Sequence, residues 1–319
     1  MEPGVYESLL TARLQQALNA STDQVSDLKD IDEAEQPQAI ARHLARLIEQ
    51  ALKAARTPQT RISMVRDILS ALPDPAVLEE ALYAEGSDRI KRLNAVMPAG
   101  IADSSRYVRP VTPLSDAALM TNSRDEPTLA AELRAELASA DRVDLLLAFV
   151  KWQGVRLLEG ELSELMRRKV PLRVITTTYL GATDARALDT LVNEFGAEVR
   201  INYEINRTRL HAKAWLLHRN TGFHTAYVGS SNLSHAALVD GLEWNVRLSA
   251  MSTPHLLDKF RATFDSYWES RDFEPYHPDK DGEKLREALE IAAGKKTNDR
   301  VIITLSGLEV QPKPYQAEM

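Results

Sequence analysis

The chain contains no cysteine. That excludes disulfides, thiolate nucleophiles and cysteine-ligated zinc, and it accords with a reducing compartment. Aromatic residues are scarce, at 6%. Long apolar runs are missing too: none approaches the ~20 residues that a membrane-crossing helix needs. The Met1-Glu2-Pro3-Gly4 start has neither the basic nor the apolar segment of a secretory signal. The expectation is a cytoplasmic protein with no membrane partner. A net charge of −7 has the wrong sign for coating a polyanion, but the charge is uneven. Residues 1–140 carry 15 basic and 21 acidic side chains, residues 141–220 carry 13 and 10, and residues 221–319 carry 11 and 15. Only the middle stretch is basic, which gives weak support to an anionic substrate there.

What is present, 44% hydrophobic and 27% charged residues over 319 positions, describes a globular protein with room for two domains. Helical periodicity dominates the start, over 5–19, 37–55, 61–72 and 75–84. Ile40, Leu44, Ile48 and Leu52 recur at every fourth position, and Pro73 and Pro75 break the pattern. This predicts a small all-α domain over 1–105 without a catalytic constellation, in which His43 is structural. Pro110 and Pro113 mark a linker. From Pro127 onward the pattern alternates: a helix on Leu129, Leu133 and Leu137, a strand over 142–150, a helix over 155–169 and a strand over 172–177. A helix over 184–195 capped by Thr183 and strands over 198–203, 210–217 and 226–229 follow. Such alternation predicts an α/β fold, a mixed sheet flanked by helices. A helix over 254–269 closes the domain. Residues 271–319 read as a connector carrying a helix at 283–293 and a strand at 301–305.

Chemistry concentrates late in the alternating region. His211 and Lys213 lie two apart on the predicted strand 210–217 and so share a face. The next strand stops at Gly229-Ser230-Ser231-Asn232, whose hydroxyls, amide and backbone N–H groups suit an anion. If the two strands are hairpin neighbours, with Arg219-Asn220-Thr221-Gly222 as the turn, the imidazole, the ammonium and the turn form a phosphate pocket. A His-x-Lys alone arises often by chance, and a satisfied strand histidine is the plain alternative. Five of the seven histidines fall between 211 and 255, yet no three ligands have convincing spacing, so neither metal nor cofactor is expected. Lys151, Trp152 and Trp244 flank strand ends, but core packing is the expectation for each tryptophan.

The full order, His-x-Lys on an apolar strand, a hairpin, Gly-Ser-x-Asn and then Glu243, resembles the phospholipase D superfamily, in particular its nuclease branch. The resemblance departs at one place: the superfamily's Asp five residues after the Lys is His218 here. It implies a phospholipase D-like domain over 106–270 that hydrolyses phosphodiesters without metal through a covalent phosphohistidine on His211. Lys213, Asn232 and Ser230 or Ser231, with Gly229, would hold the phosphate oxygens, and Glu243 would fix the His211 ring. A single copy of the motif implies a homodimer sharing its active site. Residues 310–319 resemble the Pro-x-x-Tyr-Gln segment of superfamily 2 helicases, so the whole looks like the amino-terminal part of bacterial DEAD/DEAH-type helicases, with the motor absent from this chain. Nucleic acid, DNA in preference to RNA, is the implied substrate, and defence against phage the implied setting by analogy alone. The alternative is a catalytically silent module for dimerisation and nucleic-acid binding.

Overall fold

Two apolar runs, Val143–Leu147 and Ala214–Leu217, are buried on both sides. They pair antiparallel at the middle of an eight-stranded sheet. The structure is a computed structural model and describes residues 9–20, 28, 30–74, 108–123, 126–204 and 210–294. The chain divides into two compact units, 1–96 and 97–319.

The first unit contains α1 (Ala12–Asn19), α2 (Gln36–Ala54) and α3 (Pro58–Ser70). Proline at the first helical position and Thr57, whose hydroxyl accepts from the Thr60 N–H at 3.2 Å, start α3. Among the described residues of this unit only Ala55 is buried, and the α2 stripe of Ile40, Leu44 and Leu47 is half exposed. The helix expected over 75–84 lies outside the described residues, as do the strand expected over 301–305 and the segment 310–319.

The second unit is a mixed sheet in the order β1 (Ala118–Met120), β7 (Asn245–Ser249), β6 (Thr225–Gly229), β5 (Lys213–His218), β2 (Arg142–Leu147), β3 (Leu172–Thr177), β4 (Glu198–Asn202) and β8 (Glu274–Pro275). The β2–β3 and β3–β4 pairs are parallel and the others antiparallel. Period-two alternation assigns the faces. Leu145, Leu147, Trp215, Leu217 and Tyr227 join the larger core with residues of α4 (Leu129–Ser139), α5 (Trp152–Leu157), α6 (Glu159–Arg167), α7 (Ala185–Asn193) and α9 (Pro278–Ala292). Leu146, Ile175, Ala214, Leu216 and Ala226 face α8 (Pro254–Glu269) through Phe264 and Leu257. The expected α/β fold with helices on both faces is present.

Several boundaries differ for physical reasons. Strand β2 ends at Leu147 rather than 150, because residues 148–150 turn away to meet the chain at Asn232 and Leu233. The helix expected over 155–169 is two helices that break at Leu158. Strands β1 and β7 are additional to those expected: β1 is only three residues long, and β7 carries just two apolar residues among five. Residues 271–292, expected as a connector, are integral to the sheet unit: β8 pairs with β4, and Leu285 and Leu289 enter the core. Thr183 is not a helix cap. Its buried hydroxyl donates to the Thr177 carbonyl at 3.1 Å and accepts from the Val150 N–H at 3.4 Å.

One charged group lies at the centre of the larger core. Glu136, on α4, is fully buried. Its Oε1 accepts from Arg247 Nη2 (2.8 Å) and Nε (3.0 Å) and from the Tyr227 hydroxyl (2.9 Å). Its Oε2 accepts from Thr225 (2.7 Å) and from the Arg219 guanidinium. Arg247 also reaches the carbonyls of Pro113 (2.7 Å) and Asp116 (2.8 Å). Burial alone would raise the carboxyl pKa, but Arg219 and Arg247 outweigh it and hold Glu136 below the ordinary range. Because the folded value is depressed, the contribution is present above the unfolded carboxyl pKa of about 4.3 and is lost as pH falls through the folded one. Glu136→Gln leaves two buried guanidiniums without a counter-charge and is expected to cost on the order of 3–5 kcal/mol. Urea unfolding at pH 7 measures this, and the gap to the wild type should narrow toward pH 3.

Candidate active site

Lys213 occupies the last rung of the β2–β5 ladder, opposite Leu147, and is buried. His211 precedes the strand instead of lying in it, and is exposed. The two still meet, because residues two apart in extended chain project to the same side. The Lys213 ammonium is 2.9 Å from His211 Nδ1 and 2.8 Å from its carbonyl oxygen. An ammonium only donates, so Nδ1 is the acceptor and the proton of the neutral ring sits on Nε2. Burial lowers the Lys213 pKa, and the negative charge of Glu243 opposes that shift. The structure therefore sets Lys213 against His211 Nδ1, with Glu243 acting on Lys213.

The same end of the sheet is where β6 stops and β7 starts. A Cβ at Gly229 would lie 2.2 Å from the Trp244 carbonyl oxygen, so only glycine lets the two chains approach there. Ser230 is fixed against Trp244: its N–H donates to the Trp244 carbonyl (3.1 Å) and its Oγ accepts from the Trp244 N–H (3.1 Å). Ser231 is turned inward, buried, accepting from Asn245 Nδ2 at 2.8 Å and donating to the Ala237 carbonyl at 3.4 Å. Asn232 Oδ1 accepts from the Phe149 N–H at 3.0 Å, which fixes the amide and leaves its NH₂ as the end able to meet an anion. The Phe149 ring stands edge-on to His211, centroids 6.4 Å apart. Phe149 thus links Asn232 to His211, a role hidden in the sequence by its membership of an apolar run.

His211, Lys213, Gly229, Ser230 and the Phe149–Asn232 pair therefore converge on one sheet end. Among the described residues no three His, Asp or Glu side chains gather as metal ligands. Core packing fails for Trp244, which is 64% exposed on the loop before β7. Trp152 is half buried under the Arg186 guanidinium, 3.9 Å from the ring centroid, and Lys151 pairs with Asp184 at 3.2 Å.

His218, five residues after Lys213, faces the opposite side of the sheet. There the carboxylate comes from the neighbouring strand: Asp144 Oδ2 lies 2.8 Å from His218 Nε2. Arg173 donates to both Asp144 oxygens, at 2.7 and 2.9 Å, and to Asp265 of α8 at 2.9 Å. Burial pushes the Asp144 pKa up, but His218, Arg173 and Arg142 bring it below the ordinary carboxylate range. The signal was legible: an aspartate inside Val143-Asp144-Leu145-Leu146-Leu147 must be paired. This cluster bolts β2, β3, β5 and α8 together, on the face away from Lys213. Asp144→Asn should therefore lower the melting temperature while leaving the rate constants of any His211-dependent activity within a factor of about two, measured well below melting.

Three solved structures are similar over about half of this chain. NucT from Helicobacter pylori is 12% identical with a TM-score of 0.39, covering 50% of this chain and 99% of its own. Nuc from Salmonella typhimurium, a phospholipase D family member, is 17% identical with a TM-score of 0.37, covering 51% and 99%. Phosphatidylserine synthase from Haemophilus influenzae is 10% identical with a TM-score of 0.35, covering 56% and 45%. No curated protein matches the chain. Residues 133–268, a span that holds every residue of the candidate site, match the family described as cardiolipin synthase, PLD-like domain.

Proposed function

We propose that this protein is a phosphodiesterase that cleaves nucleic acid through a covalent phosphohistidine on His211, with DNA favoured over RNA. One observation carries the proposal: an exposed imidazole and a buried ammonium 2.9 Å apart at the mouth of a Gly-Ser-Ser-Asn turn, inside the span that matches a PLD-like domain. A phosphate oxygen at that mouth draws Lys213 off His211, so that the ring proton can return to Nδ1 and Nε2 can attack phosphorus. The phosphorus–oxygen bond to one nucleotide breaks, and its oxygen takes a proton from a second acid. Water then attacks the phosphohistidine, releasing the other nucleotide as a phosphomonoester and restoring His211. Lys213, the Asn232 NH₂, Ser230 and the backbone at Gly229 surround the place where charge develops.

The second acid is the reason we place two copies together. A two-fold axis beside His211 brings its partner into reach as the leaving-group acid, and each site then serves the other. A helicase motor in the same or an associated chain would supply the strand to be cut.

A second reading has its own support. The Lys213 ammonium is engaged by the ring and the carbonyl oxygen of His211, which suits a catalytically silent module that dimerises and binds nucleic acid. Incubation with single- and double-stranded DNA and RNA in the presence of EDTA separates the two. Cleavage in chelator that vanishes in His211→Ala, by at least about 1000-fold, supports the nuclease. Binding without cleavage supports the silent module. Acid-labile, alkali-stable phosphate on His211 after a quench is the expected intermediate. Light scattering is expected to show a dimer that His211→Ala leaves intact, and a fully active strict monomer would end the shared-site proposal.

A further inference from the structure

Between the Gly-Ser-Ser-Asn turn and Glu243 the chain makes a single π-helical turn, Ala236–Asp240. Such turns are rare and recur at functional sites, and this one is held from outside. The support comes from far back in the sequence. Asn122, just after β1, has φ +53°, a left-handed conformation that asparagine tolerates better than most residues. Held in that shape, its side chain bridges two elements. Oδ1 accepts from the N–H of Leu129 at the first turn of α4 (2.9 Å), while Nδ2 donates to the carbonyls of Ala237 (3.2 Å) and Gly241 (3.3 Å).

The Gly241 carbonyl is the pivot of the next turn, since it also accepts from the Glu243 N–H at 2.9 Å. A Cβ at Gly241 would lie 2.7 Å from the Ala236 carbonyl oxygen and 3.2 Å from Glu243 Cγ, so the turn is closed against the Glu243 side chain itself. The Ala237 carbonyl takes a second bond from Ser231, which holds Asn245 at the start of β7. On its N-terminal side Glu243 is therefore held through the Ala237 and Gly241 carbonyls, and one Asn122 amide binds both.

We propose that Asn122 is a positioning residue for the site: by anchoring the Ala237 and Gly241 carbonyls to α4 it sets where the Glu243 carboxylate stands relative to Lys213. The inference rests on the site role proposed above for Lys213 and on the charge of Glu243 acting on that ammonium, and its test does not require that the substrate be nucleic acid. Asn122→Asp keeps the acceptor for Leu129 and the tolerance for positive φ, but turns the donating end into an oxygen that repels both carbonyls. Asn122→Gly removes the side chain and keeps the backbone shape.

The first readout is the titration of Lys213 in the intact chain, followed by competitive acetylation and mass spectrometry between pH 6 and 11 in steps of about one unit. Loss of a correctly placed Glu243 should move the titration down in both variants, as Glu243→Gln does, and the double variants should move it no further. The new charge in Asn122→Asp would act in the opposite direction, so a fall cannot come from it. The second readout is cleavage, expected to fall by on the order of tenfold or more in kcat, with no added loss on top of Glu243→Gln. An unchanged Lys213 titration in both folded variants, or a loss additive with Glu243→Gln, overturns the proposal. If the wild type cleaves no nucleic acid while the titration moves as expected, the nuclease reading fails and the positioning role stands.

Discussion

A carboxylate stripped of water inside an apolar core is tolerated only when opposite charges and hydrogen-bond donors surround it, and Glu136 meets that condition through five donors from the surrounding elements. Each donor comes from a part of the chain that must be correctly placed before the charge is satisfied. Arg219 lies in the β5–β6 hairpin, Thr225 and Tyr227 on β6, and Arg247 on β7, which in turn holds the carbonyls of Pro113 and Asp116. The register of three antiparallel strands and the seat of α4 are thereby set by one group. Slippage of any strand by one residue would turn a partner to the other face and leave a bare charge in the core.

The site inherits its geometry from that arrangement. Lys213 begins β5, Gly229 ends β6 and Asn245 begins β7, so a fixed register among these strands brings the His-x-Lys segment and the Gly-Ser-Ser-Asn turn to one edge. On the far side of the sheet Asp144 performs the corresponding service, joining Arg173, His218 and α8. The polar group that supports a strand need not come from the strand itself. Here β5 offers a histidine and β2 answers with the carboxylate.

The candidate site and the Asp144 cluster are thus on opposite faces of one strand. Lys213 and His218 are five positions apart, and alternation sends side chains an odd number of positions apart to opposite faces. Within the candidate site His211 is open to solvent beside a buried Lys213, whereas the two supporting carboxylates, Glu136 on the Lys213 face and Asp144 on the other, are both sealed.

How much of this was legible in the chain itself follows from the range over which each signal acts. Alternation and helical periodicity are local, so the α/β class, the hairpin and α8 could be read directly, as could the pairing of His211 with Lys213. Strands β1 and β7 are too short for a pattern to show, and α9 gains its place by packing on α7 and on the turn at Tyr179–Gly181. The inward turn of Ser231, the exposure of Trp244, the meeting of Asp144 with His218 and the reach of Asn122 across 115 residues to Ala237 depend on which segments become neighbours. Residue types along a chain determine what each group can donate, accept or bury; only the packed sheet decides which partner it finds, because that choice is made by distances between elements far apart in sequence.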